Sequence, residues 1–147
     1  MRNIDENQSL KEIFVFETSN MLERLEEIFL EEKESYVEEV NEIFRVLHTI
    51  KGASAMMGAK SLADLSHVLE DIFAYIRSDN PQNIDYRYVG DLILKSVDNM
   101  KDSLEKIEKN LEDKNYPQAI IDESKQYLEF IKQIHMPSYV SEKVVEN

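Results

Sequence analysis

The stretch "FRVLHTIKGASAMMG", residues 44–58, holds both the clearest helical pattern of this sequence and its most unusual pair of residues. Apolar residues recur at positions 40, 43, 47 and 50, with spacings of 3 and 4, which predicts an α-helix with one buried face. His48 and Gly52 lie one helical turn apart beside that face, although a glycine inside a helix costs about 1 kcal/mol relative to alanine. Glycine is the usual residue where a backbone is approached closely, so we expect the surface beside His48 to be kept open.

A second helix with the same pattern follows after a short connection. Its apolar residues repeat the spacings of 3 and 4: Leu62, Leu65, Leu69, Ile72 and Ile76. Gly58 lies between the two helices and suits a left-handed C-cap. Because short connections make sequential helices antiparallel, these two are expected to form a hairpin, with Met56 and Met57 closing the core at its turn.

The remaining sequence also favours helix. With only three glycines and three prolines in 147 residues, the chain lacks the turn residues of a β-rich fold. We therefore predict an all-α fold, an antiparallel up-down four-helix bundle with an additional fifth C-terminal helix. Residues 1–136 would form this domain and 137–147 a tail or linker. The five helices are expected at about residues 9–30, 35–57, 61–77, 84–111 and 117–135.

Several helix ends carry recognisable signals. Two Ser-x-x-Glu patterns, residues 9–12 and 35–38, predict capping boxes at the starts of the first two helices. Pro117 suits the first position of the fifth helix. Periodicity also places Leu10 on the buried stripe of the first helix and Leu111 inward at the end of the fourth.

Charge and composition exclude several functions. The net charge of −13 disfavours nucleic acid as a partner, and it disfavours an anionic membrane surface for the same reason. The absence of cysteine excludes disulfides and thiolate chemistry. No run approaches the roughly 18 apolar residues of a membrane span. We therefore expect a cytoplasmic protein with no nucleic-acid or membrane partner.

The residues around His48 suit phosphoryl chemistry. His48 follows the core position Leu47 by one residue, and Glu70 follows Leu69 by one, so an antiparallel pair places both on the same side of the seam. A carboxylate that holds the hydrogen of one imidazole nitrogen fixes the tautomer and leaves the other nitrogen as a nucleophile. Lys51, at i+3 from His48, can screen the charge of a phosphorylated ring.

These residues make a recognisable motif. The stretch "IFRVLHTIKGASAMMGAKSLADLSHVLEDI" resembles histidine phosphotransfer (HPt) domains, specifically the N-terminal phosphotransfer (P1) domain of the chemotaxis histidine kinase CheA. The matching positions are His48, Thr49, Ile50, Lys51, Gly52, Gly58, His67 and Glu70. Ala53, Ala55 and Ala59 depart from the residues common in that family, at positions that concern helix packing and the partner-docking face.

The resemblance implies a function for each site residue. His48 would receive a phosphoryl group from ATP through the catalytic domain of a histidine kinase and pass it to an aspartate of a response regulator receiver domain. Glu70, Lys51 and His67 would form its supporting network, and Gly52 would give the partner access.

The chain is expected to be a phosphocarrier and not an enzyme. It has no phosphate-cradling loop of the G-x-x-x-x-G-K type, so it would bind no cofactor of its own, and ATP and Mg²⁺ would belong to partner domains. Two other classes remain. A metal-binding bundle could use His48, His67 and Glu70, although the Glu-x-x-His pairs of di-iron bundles are missing. A structural or scaffold bundle would leave His48 without a role.

Overall fold

The computed structural model describes residues 2–135 of the chain and the side chains of residues 6–134. Within that range there are five α-helices, one short 3₁₀ turn at Val37–Glu39 and no β-strand. The helices are α1 (Arg2–Leu30), α2 (Val40–Met56), α3 (Lys60–Asp79), α4 (Tyr86–Glu108) and α5 (Gln118–His135). The predicted all-α fold is confirmed, while the predicted tail, residues 137–147, lies outside the described residues.

The first four helices form a closed bundle, and α5 packs on its outside. The largest interfaces join α2 to α3 and α1 to α4, and the smaller ones between α1 and α2 and between α3 and α4 close the ring. The fifth helix packs mainly on α3. None of the helices in residues 2–135 is long and apolar enough to cross a membrane.

The stripes predicted for α2 and α3 form the centre of the core. Ile43, Leu47 and Ile50 of α2 are fully buried, as are four of the five apolar positions predicted for α3, and Ile76 is nearly so. Fully burying such a side chain stabilises the fold by about 1.5–3 kcal/mol. The α2–α3 hairpin is therefore a rigid platform, and side chains one position beyond the stripe lie along its edge.

The hairpin turn has the predicted glycine C-cap, but its two methionines do not lie where they were predicted. Gly58 has φ +70°, its N–H donates to the carbonyl of Ala55, and the N–H of Ala59 donates to the carbonyl of Ser54. This is the Schellman arrangement, in which the residue after the glycine returns to the core. Ala59 packs there, while Met56 (90 % exposed) and Met57 face solvent. The expectation that these methionines close the core was wrong.

Both predicted capping boxes were also wrong. The first helix begins at Arg2, so Ser9 lies inside it with an exposed side chain, where a serine facing solvent is tolerated. At the other site, Ser35 Oγ accepts from the N–H of Val37, not of Glu38, and α2 begins only at Val40. The buried Tyr36 donates its hydroxyl hydrogen to the carbonyl of Glu31, so a tertiary anchor sets the entry to α2.

One end of the bundle lies open to solvent. Leu10 and Leu111, both expected to face inward, are exposed there. The ammonium of Lys11 donates to Asn110 Oδ1 at 2.7 Å, which places both leucines at the same end of the bundle. The fifth helix begins directly after Pro117, close to its predicted start.

Candidate functional site

His48 and Glu70 meet across the α2–α3 hairpin. His48 Nδ1 lies 2.5 Å from Glu70 Oε2. The two side chains differ sharply in exposure, since that of His48 is 63 % exposed and that of Glu70 only 8 %. The equal offsets of the two residues from the core stripe place them on the same side of the seam, as predicted. The burial of Glu70 was not predicted, and it means that a buried carboxylate holds a ring that is open to solvent.

Lys51 donates a hydrogen bond to the second oxygen of the Glu70 carboxylate. Its Nζ lies 2.7 Å from Glu70 Oε1, and its side chain is partly buried. The i, i+3 spacing places Lys51 on the same helical face as His48, so one carboxylate of α3 joins two side chains of α2. A carboxylate is tolerated inside a protein when it is paired with a cation and hydrogen-bonded, as Glu70 is here.

The protonation state of Glu70 determines what His48 can do. Burial raises the pKa of the Glu70 carboxyl, but the hydrogen bonds from Lys51 and His48 lower it. As a result, the pKa lies below its usual value of 4.5. Glu70 is therefore ionised at neutral pH and can only accept hydrogen bonds. The hydrogen must then be on His48 Nδ1, and in a neutral ring Nε2 keeps its lone pair.

Gly52 leaves an open surface beside the ring. It is exposed, and a Cβ added to it would have no heavy atom within 4 Å outside its own helix. Packing within the fold therefore does not require glycine at this position. The missing side chain leaves free space one turn along the helix from His48.

His67 lies near this cluster but is not joined to it by a hydrogen bond. Its Nε2 is 3.8 Å from Asp71 Oδ1, and both side chains are exposed. His67, Glu70 and Asp71 can each present a potential metal-ligand atom, all within 4.8 Å of one another. His48 does not belong to this group, and both Glu70 oxygens already have partners, so a metal ion there would compete with the His48 and Lys51 contacts.

Two further residues contact the site and were not singled out from the sequence. The ring of Phe44 stacks on that of His48, with centroids 6.0 Å apart and planes 19° apart. The guanidinium carbon of Arg77 lies 3.8 Å from the centroid of Phe44. The i, i+4 spacing of Phe44 and His48 was a usable signal, whereas the contact of Arg77 depends on the register of the hairpin.

An all-α bundle that presents an exposed histidine, oriented by a buried carboxylate on the next helix, has the architecture of a histidine phosphotransfer domain. The sequence profile of the Hpt domain family matches residues 9–109. The chain therefore belongs to the Hpt domain family.

Comparison with individual proteins agrees with this assignment. The chain is 35 % identical over 101 residues to the chemotaxis protein CheA of Borreliella burgdorferi strain B31. The match covers 67 % of this chain but only 12 % of that protein, so the chain spans a small part of its relative's length. The fold is similar to the phosphorylated P1 domain of CheA3 from R. sphaeroides, solved in complex with CheY6. The TM-score is 0.74 at 18 % identity, over 84 % of this chain and 98 % of that one.

Proposed function

We propose that His48 is the phosphorylated residue of this domain, and that it carries a phosphoryl group from a histidine kinase ATP-binding domain to an aspartate of a response regulator. The contact between His48 Nδ1 and the ionised Glu70, in a side chain that is otherwise mostly exposed, is the observation that carries the proposal. The domain does not need a catalytic pocket for this role, because phosphoryl transfer depends mainly on positioning and on metal-assisted charge stabilisation.

The chemistry at His48 follows from the tautomer. The Nε2 lone pair attacks the γ-phosphorus of ATP, an N–P bond forms, and the bond to the ADP oxygen breaks. The ring then carries hydrogen on Nδ1 and the phosphoryl group on Nε2, so positive charge develops on the imidazole. The Glu70 carboxylate, 2.5 Å from Nδ1, stabilises that charge. In the second step the aspartate oxygen attacks phosphorus and the neutral imidazole leaves.

The neighbouring residues would support these steps. Lys51 keeps Glu70 ionised and in place, and its ammonium, bound to the carboxylate that also contacts His48, would moderate the charge of the phosphoryl group. Gly52 leaves room for the active sites of both partners. His67, beside Asp71 and near Glu70, would act as an outer member of the network.

The partners follow from the relatives. CheA is a chemotaxis protein, and the similar P1 domain was solved with CheY6. We infer that this domain serves a chemotaxis-type kinase and a CheY-type receiver, that ATP and Mg²⁺ are bound by those partners, and that the chain works in the cytoplasm, where ATP is made.

Radiolabelled ATP and a CheA-type kinase core test the assignment. We expect label on the wild-type chain that is labile in acid and stable in base, as phosphohistidine is. His48→Gln should abolish it, and His135→Gln, the matched control on α5, should retain it. Equal labelling of the two variants would reject His48 as the acceptor. Phosphorylation of the kinase's own P1 domain is the positive control. If that control is labelled and the wild-type chain is not, the result favours the scaffold alternative.

A further inference from the structure

The hydrogen bond to Glu70 limits the motion of the His48 ring but holds only one of its atoms. The ring is also joined to Cβ through Cγ, so its remaining motion is a rocking about the Cα–Cβ and Cβ–Cγ bonds, which changes the direction of the Nε2 lone pair. The stacked ring of Phe44 opposes this motion, because its plane lies within 19° of the imidazole plane, one helical turn away on α2. Aromatic rings prefer offset stacked or edge-to-face arrangements, so the pair has a preferred relative orientation.

The position of Phe44 is itself secured by Arg77. The guanidinium lies over the Phe44 ring at 3.8 Å from its centroid, a cation–π contact. Among the residues that the structure describes, Arg77 has no ion pair, although the chain carries thirty acidic residues. Arg24, in contrast, pairs with both Glu27 and Glu42. Within the described side chains, Arg77 is therefore positioned by its contact with Phe44.

The three groups form a continuous stack across the hairpin. Since the two centroid distances add to 9.8 Å, the guanidinium carbon of Arg77 lies no farther than that from the imidazole centre. Arg77 is on α3 and Phe44 on α2. The same two helices therefore restrain the His48 ring twice, at its edge through Glu70 and at its face through Phe44.

We propose that Phe44 is a positioning residue for the His48 imidazole, and that Arg77 acts through Phe44 by holding its ring in place. The proposal rests on the proposed function, since it assigns these two residues to the same phosphoryl transfer. Restricting the ring raises the fraction of molecules in which Nε2 points outward, and correct orientation of a nucleophile accelerates its reaction.

A small phosphoryl donor separates ring orientation from partner docking. With phosphoramidate, Nε2 attacks phosphorus, the P–N bond of the donor breaks and ammonia leaves, so no kinase surface takes part. We expect Phe44→Leu to slow phosphorylation of the purified domain about three- to tenfold, less than the roughly hundredfold cost of gross misplacement. Phe44→Tyr, which keeps the aromatic face, should restore the rate. Phe130→Leu, on an exposed aromatic residue of α5, is the matched control and should react like the wild type.

A double variant tests whether Arg77 acts through Phe44. Arg77→Gln alone should slow the reaction by a smaller factor than Phe44→Leu, and Arg77→Lys should recover part of the loss. The double variant should be no slower than Phe44→Leu alone, since the stacked ring on which Arg77 acts is already gone. Multiplied losses would show an independent electrostatic effect and overturn this part of the proposal. Arg87→Gln, an exposed arginine at the start of α4, controls for the loss of one positive charge.

Nuclear magnetic resonance of the unphosphorylated domain gives a readout that does not depend on phosphorylation. Cross-peaks between the Phe44 and His48 rings should be present in the wild type, weaken in Arg77→Gln and persist in Arg87→Gln. If Phe44→Leu and Arg77→Gln react at the wild-type rate, the inference fails while the proposed function stands. If the wild type takes up no phosphoryl group but the cross-peaks behave as expected, the proposed function fails and only the structural restraint remains.

Discussion

His48 and Glu70 are 22 residues apart in the chain, yet His48 Nδ1 lies 2.5 Å from Glu70 Oε2. Glu70 is the one charged residue among the buried side chains of residues 6–134. A buried charge needs a partner, and here the partners are the ammonium of Lys51 and the imidazole of His48. The residue that is costliest to bury is therefore placed where it orients the candidate nucleophile.

Replacing Glu70 tests this relationship directly. Glu70→Ala removes the acceptor of the Nδ1 hydrogen. The reactive tautomer is then no longer favoured, and the positive charge that develops on the ring is no longer stabilised. A hydrogen bond to a charged group contributes roughly 1.5–3 kcal/mol. If the whole of that free energy is lost from the transition state, phosphorylation slows about 10- to 150-fold. Initial rates with a fixed kinase concentration measure the effect, and circular dichroism should show unchanged helical content.

Glu123 provides a matched control for the Glu70 variants. It also accepts hydrogen bonds from two side chains, those of Tyr88 and Lys95, but it lies on α5. Glu123→Ala should leave the phosphorylation rate unchanged. A normal rate in Glu70→Ala would remove Glu70 from the mechanism, and equal slowing in both variants would point to a general effect on stability.

The pKa shift of Glu70 predicts a pH dependence of stability. The folded pKa is below the ordinary value of 4.5, so unfolding takes up a proton between the two values. The stabilisation by ionised Glu70 is therefore fully present above about pH 4.5 and is lost as pH falls through the lower folded pKa. Denaturant unfolding between pH 3 and 7 should show a drop in the free energy of unfolding that is shallower in Glu70→Gln. If the free energy of unfolding falls equally steeply below pH 4.5 in the wild type and in Glu70→Gln, the lowered pKa of Glu70 is contradicted.

The role of His67 remains a prediction that its own variant can test. His67 Nε2 lies 3.8 Å from the exposed Asp71, and among the side chains of residues 6–134 a hydrogen bond to His48 comes from α3 through Glu70. We expect His67→Gln to slow phosphorylation less than Glu70→Ala does, because its influence on the ring is indirect. Asp71→Asn should reproduce any effect that depends on the His67–Asp71 pair. A loss as large as that of His48→Gln would contradict this indirect role.

Much of the fold and the site could be predicted because both depend on local spacing. The spacings of 3 and 4 identify the buried faces of α2 and α3, and the short turn at Gly58 makes these helices antiparallel. From those two facts, the equal offsets of His48 and Glu70 place them on the same side of the seam. The structure confirms this placement, and it also adds Lys51 to the same carboxylate.

The wrong predictions of burial share a physical cause. Periodicity shows which face of a helix is apolar, but not how far the neighbouring helices extend along it, so the exposure of Leu10 and Leu111 at the open end was missed. The same holds for Met56, which projects from the end of α2 while Ala59 fills the core. The contact between Arg77 and Phe44 depends on the axial register of the hairpin, which spacing within one helix does not encode.

Gly58 and Gly52 should respond to alanine in opposite ways. Gly58 has φ +70° at the hairpin turn, and a residue with a Cβ pays roughly 1–2 kcal/mol in the left-handed region. Gly58→Ala should therefore destabilise the fold by about that amount, and 1 kcal/mol corresponds to roughly 2–4 °C in Tm for a domain of this size. Thermal unfolding followed by circular dichroism measures the change. An unchanged Tm would mean that the turn adopts another conformation.

Gly52→Ala should stabilise the domain and still impair its function. The added Cβ has nothing within 4 Å outside its own helix, so alanine gains about 0.5–1 kcal/mol of helix propensity without a clash. If Gly52 is kept for partner access, the methyl group narrows the approach to His48, and transfer to a receiver domain should slow although Tm rises. Gly52→Gln should slow transfer further, because its side chain is larger. Ala119→Gln, at an exposed alanine near the start of α5, controls for added bulk away from His48. Faster or unchanged transfer in both Gly52 variants would show that the open surface beside His48 is not needed by the partner.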